Sequence, residues 1–522
     1  MDRMISENTN IYKRKTDYIA FFAMVVGMFM AILDIQIVAS SLPKIAAGLS
    51  ATSDELSWVQ TSYLIAEVIV IPLSGFISRV LSTRTTYFIA AFGFTIMSIS
   101  CALSWSIESM IACRFFQGLF GGLLIPLTFS TIFIIFTAQE RLTANIVVGL
   151  VVTIAPTLGP VIGGYLTESF SWHLMFLLNV LPGVFVCTVI YLYADFDKPN
   201  TSLLQNFDYI GVMSLILFLG ILQYILEEGN KVGWFDSSAI IALSITSFGC
   251  MIIFLVRCFT FSNPLVDLRA FYSRNFTLGC LYAFLIGIGL YGVVFLQPLF
   301  LATIGKLNSL QIGLIMSITG IAQLSSAPVA SKLFSAGLSS KLMLFIGLTL
   351  FSLGCYMNSF LTLESRFNDF FWPQIIRGVS LMFCFIPISN IALGDLSPSK
   401  IKSSSGLYNL TRNLGGAIGL AVISFTLTNN AKIFASYIGD NITANDPKYI
   451  DTLQNIGMIL APITSDPKAA LSFLNGLVMQ NSYTIAINGI FRSIAVLFFC
   501  STIFIVFIKN VKSDNLKTNN AH

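Results

Sequence analysis

Fourteen predominantly apolar runs of about 19–28 residues punctuate this chain, near 18–42, 55–78, 85–104, 109–136, 142–165, 172–193, 208–226, 238–257, 276–299, 310–331, 341–361, 370–393, 405–428 and 486–508. A run of about 20 such residues crosses a hydrocarbon core of about 30 Å as an α-helix, the one open-chain conformation that satisfies its own backbone in lipid. Charged residues make up 10% of the 522 and hydrophobic ones 55%, against roughly 25% and 45–50% in a soluble protein. The expectation is an all-α membrane protein with fourteen transmembrane helices. Its first run follows Lys13-Arg14-Lys15 and exceeds the roughly 7–15 apolar residues of a signal-peptide core, so it reads as a retained span.

Lysine and arginine set the orientation of a membrane chain because they are kept on the cytoplasmic side. With a cytoplasmic N-terminus, eighteen of the 29 basic residues fall in inside segments, seven outside, and four (Arg114, Arg377, Arg412, Arg492) within spans. Both termini are then expected in the cytoplasm. A weak internal repeat is also visible. Arg114 and Gly118 of span 4 are echoed by Arg377-Gly378 of span 12, and Gly159-Pro160-x-x-Gly163-Gly164 of span 5 by Gly415-Gly416-x-x-Gly419 of span 13. Two six-helix halves with spans 7 and 8 inserted between them account for both offsets. The organisation read from this is a cytoplasmic tail 1–17, an N-terminal bundle 18–193, two inserted helices 208–257, a C-terminal bundle 276–508 with an extracytoplasmic loop at 429–485, and a cytoplasmic tail 509–522. Within that loop Ala470, Leu471, Leu474, Leu477 and Val478 recur at helical spacing, the pattern of a short amphipathic helix on the outer face.

Nine scattered cysteines and two histidines offer neither a disulfide framework nor a metal site, and no cofactor is expected. The chemistry falls to a few polar residues inside the spans. Asp34 and Glu67 are the acids placed deepest. A charge at mid-bilayer costs roughly 2.5–3.5 kcal/mol on insertion scales, so such residues usually face the bundle interior and serve a function. Gln60, Tyr63, Glu67 and Ser74 fall on one face of span 2, toward an expected polar cavity. Asp34 shares a seven-residue spacing with Gly27 and Ser41, where another helix can approach closely.

Removal from water favours the neutral form of a carboxyl group, which makes both acids candidates for loading and releasing protons. The competing reading pairs each permanently with an intramembrane arginine, Arg114 above all. Arg114, Gln117, Gly121 and Thr128 share one face of span 4. A guanidinium does not shed its proton and must find a carboxylate, carbonyls or water, so Arg114 is expected to steer the proton carrier or, failing that, to hold the bundle together. In span 5, Pro156-x-x-Gly159-Pro160-x-x-Gly163-Gly164 predicts a bent, tightly packed helix.

These residues resemble the major facilitator superfamily, and within it the fourteen-span drug:proton antiporters of the EmrB/QacA type. The resemblance is carried by Leu33-Asp34-Ile35-Gln36-Ile37-Val38 with Leu42-Pro43, by Trp58-Val59-Gln60-Thr61-Ser62-Tyr63, by Arg114-Phe-Phe-Gln117-Gly118 and by the span 5 string. It continues through Trp172 to Asn179 with Pro182-Gly183, Ser273-Arg274-Asn275-Phe276-Thr277, Pro373-Gln374 to Gly378, and Ser405-Gly406-Leu407-Tyr408-Asn409 to Arg412 with Gly415-Gly416. The matches run in order from about residue 20 to 508. They imply a major facilitator fold and proton-coupled export of hydrophobic drugs or toxic compounds across the bacterial inner membrane by alternating access.

Proton coupling is expected at Asp34, Glu67 and Arg114, and the antiporter motif at Pro156, Gly159, Pro160, Gly163 and Gly164. The residues expected around the substrate cavity are Gln36, Gln60, Tyr63, Gln117, Tyr291, Gln297, Asn409 and Arg412. Expected partners are hydrophobic small molecules, protons, the lipid bilayer and, in an EmrB-type tripartite system, a periplasmic EmrA-like adaptor with an outer-membrane channel; nucleic acid is not among them. One segment departs from the pattern. The superfamily's loop between spans 2 and 3 usually reads Gly-x-x-x-Asp-Arg-x-Gly-Arg-Lys, whereas here Gly75 is followed by Arg79 at the acidic position, Ser82 at the second glycine and Arg84 at the end. The usual acid-arginine latch of the cytoplasmic gate cannot form there in its standard way.

The one Gly-Lys pair, Gly305-Lys306, is preceded by Phe300 at the spacing a phosphate-cradling loop requires and followed by Leu307, which points away from ATP. An ion gradient fits instead. One charge crossing 100 mV yields about 2.3 kcal/mol, and at about 1.4 kcal/mol per factor of ten this sustains a gradient of roughly fifty-fold. Against an exporter stand a metabolite or siderophore transporter of the same fold, and a non-transporting receptor or scaffold, which would not need paired intramembrane acids. A membrane enzyme is the remaining class, and no nucleophile-base arrangement is visible for it.

Overall fold

Each apolar run becomes helix in the computed structural model, which describes residues 2–137, 140–205, 207–261, 264–396, 398–440, 447–460 and 467–509. The helices are α1 (Asp2–Leu49), α2 (Ser53–Val70), α3 (Ser74–Leu81), α4 (Thr83–Ala102), α5 (Ile107–Ile135), α6 (Glu140–Ser169), α7 (Trp172–Leu177), α8 (Val180–Tyr193) and α9 (Tyr209–Glu228). They continue with α10 (Ser238–Thr260), α11 (Arg274–Thr303), α12 (Ser309–Ser335), α13 (Ser340–Met357), α14 (Phe367–Leu393), α15 (Pro398–Asp440), α16 (Pro447–Leu460) and α17 (Pro467–Ser501). Twelve spans pass on length and apolarity alone, and two more are bent, α2 with α3 by 60° and the two parts of α6 by 43°. The bends have covalent causes. Pro72 sits in the break after α2, and Pro156 and Pro160 lie inside α6; each lacks the N–H that would continue the hydrogen-bond ladder.

The sequence repeat reappears as a repeat of packing. α1 lies against α6 as α11 lies against α15; α2 meets α5 as α12 meets α14; α4 touches α5 and α8 as α13 touches α14 and α17. Small residues make these approaches close: a Cβ on Gly118 would strike the Tyr63 carbonyl, on Gly159 the Gln36 side chain, and on Gly415 the Phe284 carbonyl. In lipid there is little hydrophobic drive between helices, so such close backbone contact carries much of the association. The halves meet where α6 packs on α12 and α14, and where α15 packs on α3 and α5.

The inserted helices differ from one another. α9 packs on α10 and also reaches α2 and α15, at the seam between the halves. α10 is the outermost span, only 22% buried over its apolar window against 78% for α1, α5 and α14. Ile241, Ile245, Phe248, Ile252, Val256 and Phe259 form an exposed stripe along it at helical spacing, the face a lipid chain would cover.

Two stretches read as connections are helical. In the stretch 429–485, α15 runs on to Asp440, α16 follows, and α17 already begins at Pro467. The apolar repeat from Ala470 to Val478 is therefore the first part of the last span and not a separate surface helix, because no proline or glycine break parts it from the apolar run that follows. At the other end α1 starts at Asp2, continuous with the first span. The tail expected at 509–522 lies outside the described residues beyond Lys509.

Candidate functional site

Asp34 on α1 and Arg114 on α5 form an ion pair at 2.5 Å, with 1% and 0% of their side chains exposed. The arginine Nη1 also donates to Gln117 Oε1 at 2.7 Å and its Nε to the Val59 carbonyl at 3.2 Å, while the Tyr63 ring lies 4.2 Å from the guanidinium carbon. Nη2 has no hydrogen-bond partner. The second carboxylate oxygen of Asp34 accepts from Asn179 Nδ2 at 2.7 Å and Gln117 Nε2 at 3.3 Å, and both amides also donate to the Ser98 hydroxyl. Asn179 reaches inward because the chain breaks between α7 and α8 at that residue. A buried charge is tolerable when it is paired and hydrogen-bonded; the Asp34 carboxylate meets both conditions, while Arg114 Nη2 is left over.

Glu67 has a different setting. It is 3% exposed, accepts from Asn413 Nδ2 at 3.3 Å, and makes no ion pair among the described residues. Its carboxyl group borders a cavity of about 60 Å³ enclosed by α1, α2, α9, α11 and α15, shared with Gln36, Gln60, Gln223, Glu227 and Tyr291. That space suits a few water molecules at about 30 Å³ each, whereas drug-sized ligands occupy roughly 300–1,000 Å³. The cavity is thus well below drug size.

Of the eight side chains expected around a cavity, Gln36, Gln60 and Tyr291 line it. The other five lie elsewhere. Tyr63 and Gln117 belong to the Asp34 cluster, with the Tyr63 hydroxyl donating to the Ala31 carbonyl at 3.4 Å. Asn409 is buried and donates to the Ser405 carbonyl at 2.9 Å. Arg412 is 2% exposed, with its guanidinium over the Phe129 ring at 5.5 Å and Nη1 unpartnered. Gln297 is fully buried with neither amide atom bonded. In the span 5 motif, Gly159 abuts Gln36, Pro156 and Pro160 lie in the bent helix, and the Gly163 and Gly164 carbonyls accept from Thr167 Oγ1 at 2.7 and 3.3 Å.

The turn between α3 and α4 meets the start of α15. A Cβ on Gly75 would come within 2.7 Å of the Lys402 carbonyl oxygen. Arg79, at the position where the family pattern has an acid, turns its Nε back to the Gly75 carbonyl at 3.2 Å, and Arg84 donates to the Tyr191 carbonyl at 2.5 Å. Asp197, just beyond α8, pairs with Lys402 of α15 and accepts from the Thr83 N–H at 2.9 Å. Nearby, Ser405 Oγ donates to the Pro126 carbonyl at 2.8 Å and Ser389 Oγ to Asn145 Oδ1 at 3.3 Å. Those bonds join the two halves.

Ser98, Asn179, Gln223, Glu227 and Asn413 are site residues that sequence reading passed over. The apolar run of span 7 stops at 226, one residue short of Glu227, so this acid looked like a flanking charge; α9 runs on to Glu228 and carries it into the cavity wall. Ser98 is a small polar residue in an apolar helix, Asn179 lies at the break between α7 and α8, and Asn413 follows the more conspicuous Arg412, so none of the three stands out from its surroundings.

The family model for the Major Facilitator Superfamily matches residues 24–420. The chain is 39% identical over 503 residues to the colistin resistance protein EmrB of Acinetobacter baumannii, covering 96% of this chain and 98% of that one. It is 29% identical over 441 residues to the multidrug export protein EmrB of Escherichia coli, with 84% and 86% covered. Among solved structures, the proton:xylose symporter XylE superposes with a TM-score of 0.61 at 13% identity over 95% of this chain and 96% of that one, a likeness of fold alone.

Proposed function

This chain belongs to the Major Facilitator Superfamily, and from that premise we propose that it exports hydrophobic drugs or toxic compounds across the inner membrane in exchange for protons, with both termini in the cytoplasm. Its relatives at 39% and 29% identity are a colistin resistance protein and a multidrug export protein. The observation that carries the coupling scheme is Glu67, a buried carboxyl group without a cationic partner among the described residues, facing a cavity at the seam of the halves. Asn413, which donates to it at 3.3 Å, sits on α15 in the other half.

A carboxylate accepts that bond more strongly than a carboxylic acid does. Deprotonated Glu67 thus draws α2 and α15 together, and a proton arriving from outside loosens them. Substrate competes with the proton for the same side chain, which links occupancy to the opening of one face or the other. Asp34 and Arg114 serve this scheme as a neutral pair that fixes α1 to α5, ready to separate only if the cycle parts those helices. In the same proposal the Asp197–Lys402 pair closes the cytoplasmic gate in place of the missing acid of the loop between spans 2 and 3.

Proton release on adding drug to the purified protein in weakly buffered solution is the test. Release is expected from the unaltered protein and from Asp34→Asn, and none from Glu67→Gln; normal release from Glu67→Gln would overturn the assignment. The EmrA-like adaptor and outer-membrane channel belong to the proposal too. Resistance that is equal with and without the adaptor would remove them.

A further inference from the structure

The wall that α9 gives to the cavity carries chemistry that proton exchange at Glu67 leaves unused. Gln223 and Glu227 stand four residues apart, on one face of the helix, and both line the space. Gln223 is 2% exposed and donates from Nε2 to Glu227 Oε1 at 3.0 Å, while its own Oε1 is buried with no partner. Gln60 Oε1 and Asn413 Oδ1, on the same cavity, are likewise buried and unpartnered. Glu228 next door is occupied, by Lys231 at 3.0 Å and Thr61 at 3.1 Å, but Glu227 makes no ion pair among the described residues. Among the described residues no lysine or arginine lines the cavity. Its polar surface therefore offers two carboxyl groups and three amide oxygens lacking donors, and the amide nitrogens of Gln223 and Asn413 are already turned to the carboxyl groups.

We propose that the inserted helix α9 makes this cavity a receptor for protonated amines bearing N–H groups, held by Glu227 together with the unpartnered oxygens of Gln60, Gln223 and Asn413. A primary ammonium brings three donors and a charge to the two carboxyl groups and the unpartnered amide oxygens, beyond what the amides of Gln36 and Gln60 and the Tyr291 hydroxyl can supply to them. A quaternary ammonium has the same charge but nothing to donate, and it would leave the oxygens bare. The space of about 60 Å³ admits the ammonium head, and Ile35, Leu64 and Val68 on its wall offer apolar surface to the first carbons of the chain attached to it. The inference rests on the cavity being the transport site, and it assigns to α9 a part in choosing substrate beyond that of a spacer between halves.

The experiment compares two probes of equal tail and charge, octylammonium and octyltrimethylammonium, binding to the full-length protein in lipid nanodiscs. Octylammonium is expected to bind at least about ten-fold more tightly, since unpaired polar groups in a site discriminate strongly against an analogue that lacks the donor. Glu227→Gln should shrink that preference to less than about two-fold by removing the charge-assisted bond, and Glu227→Asp should keep more of it, with melting temperatures confirming that both fold. Equal affinity for the two amines in the unaltered protein, or an undiminished preference in folded Glu227→Gln, would overturn the proposal. A failure of the exporter reading is distinguishable: it shows as absent drug-driven proton release from the unaltered protein, whichever amine binds.

Discussion

Asp34 and Glu67 look alike in the sequence, and their surroundings set them apart. Asp34 accepts from Arg114, Asn179 and Gln117, so its charge is compensated in place; Glu67 has one amide donor and a cavity. Removing one member of a buried pair strands the other, at a cost of about 3–5 kcal/mol, whereas removing both is far milder. Arg114→Gln should therefore lower the melting temperature of the detergent-purified protein steeply, and Asp34→Asn combined with Arg114→Gln should recover much of the loss. A double variant no more stable than Arg114→Gln alone would show that the arginine acts through something other than this pair. At this scale the sequence made both acids and the arginine legible, because a charge inside an apolar run stands out. The surroundings were legible only in part: Gln117 shares the Arg114 face, but Asn179 owes its reach to a chain break and Glu227 lies one residue past the apolar run.

Elements were easier to read than residues. Twelve of the fourteen runs became spans on length and apolarity alone and the other two became bent ones, whereas the break after Val70 follows from Pro72 and the helical extensions of α15 and α17 run through polar sequence that no window of hydropathy reports. The α3–α4 turn shows how such local detail alters a functional device. Ser82 replaces the pattern's second glycine yet keeps a glycine-like backbone, φ +80° and ψ 155°, which costs a side-chain-bearing residue on the order of 1–3 kcal/mol. The surroundings hold it there: Asp197 takes the adjacent Thr83 N–H and Ser82 Oγ accepts from the Thr85 N–H at 3.3 Å. Asp197 thereby joins the turn to Lys402 across the halves. A partly exposed pair of this kind contributes about 1 kcal/mol, equivalent to about a five-fold shift between closed and open gate. If the proposed latch holds, Lys402→Gln should speed maleimide labelling of a cysteine placed at Ser405, which is buried and bonded to the Pro126 carbonyl, several-fold in everted vesicles of a background lacking the native cysteines. Labelling at an unchanged rate would leave the gate without its proposed latch.

For the whole molecule the question is which part of the electrochemical gradient the cycle can use. In the proposed cycle Asp34 and Arg114 travel together as a neutral unit so long as their 2.5 Å pair survives, and Glu67 carries the exchanged charge. One proton entering as one singly charged amine leaves moves no net charge across the bilayer. The potential, worth about 2.3 kcal/mol per charge at 100 mV, is then not tapped, and only the pH difference drives export, at about 1.4 kcal/mol, or ten-fold, per pH unit. In everted vesicles holding a pH gradient, collapsing the potential with valinomycin and balanced potassium should leave the steady-state accumulation of such an amine unchanged. Dissipating the pH gradient with nigericin should abolish it. A several-fold fall under valinomycin would mean that a second charge crosses in each cycle, and Asp34 freed from Arg114 would be the first place to look for it. That outcome would turn the ion pair from a fixed brace between α1 and α5 into a moving part, and Asp34→Asn should then restore indifference to the potential.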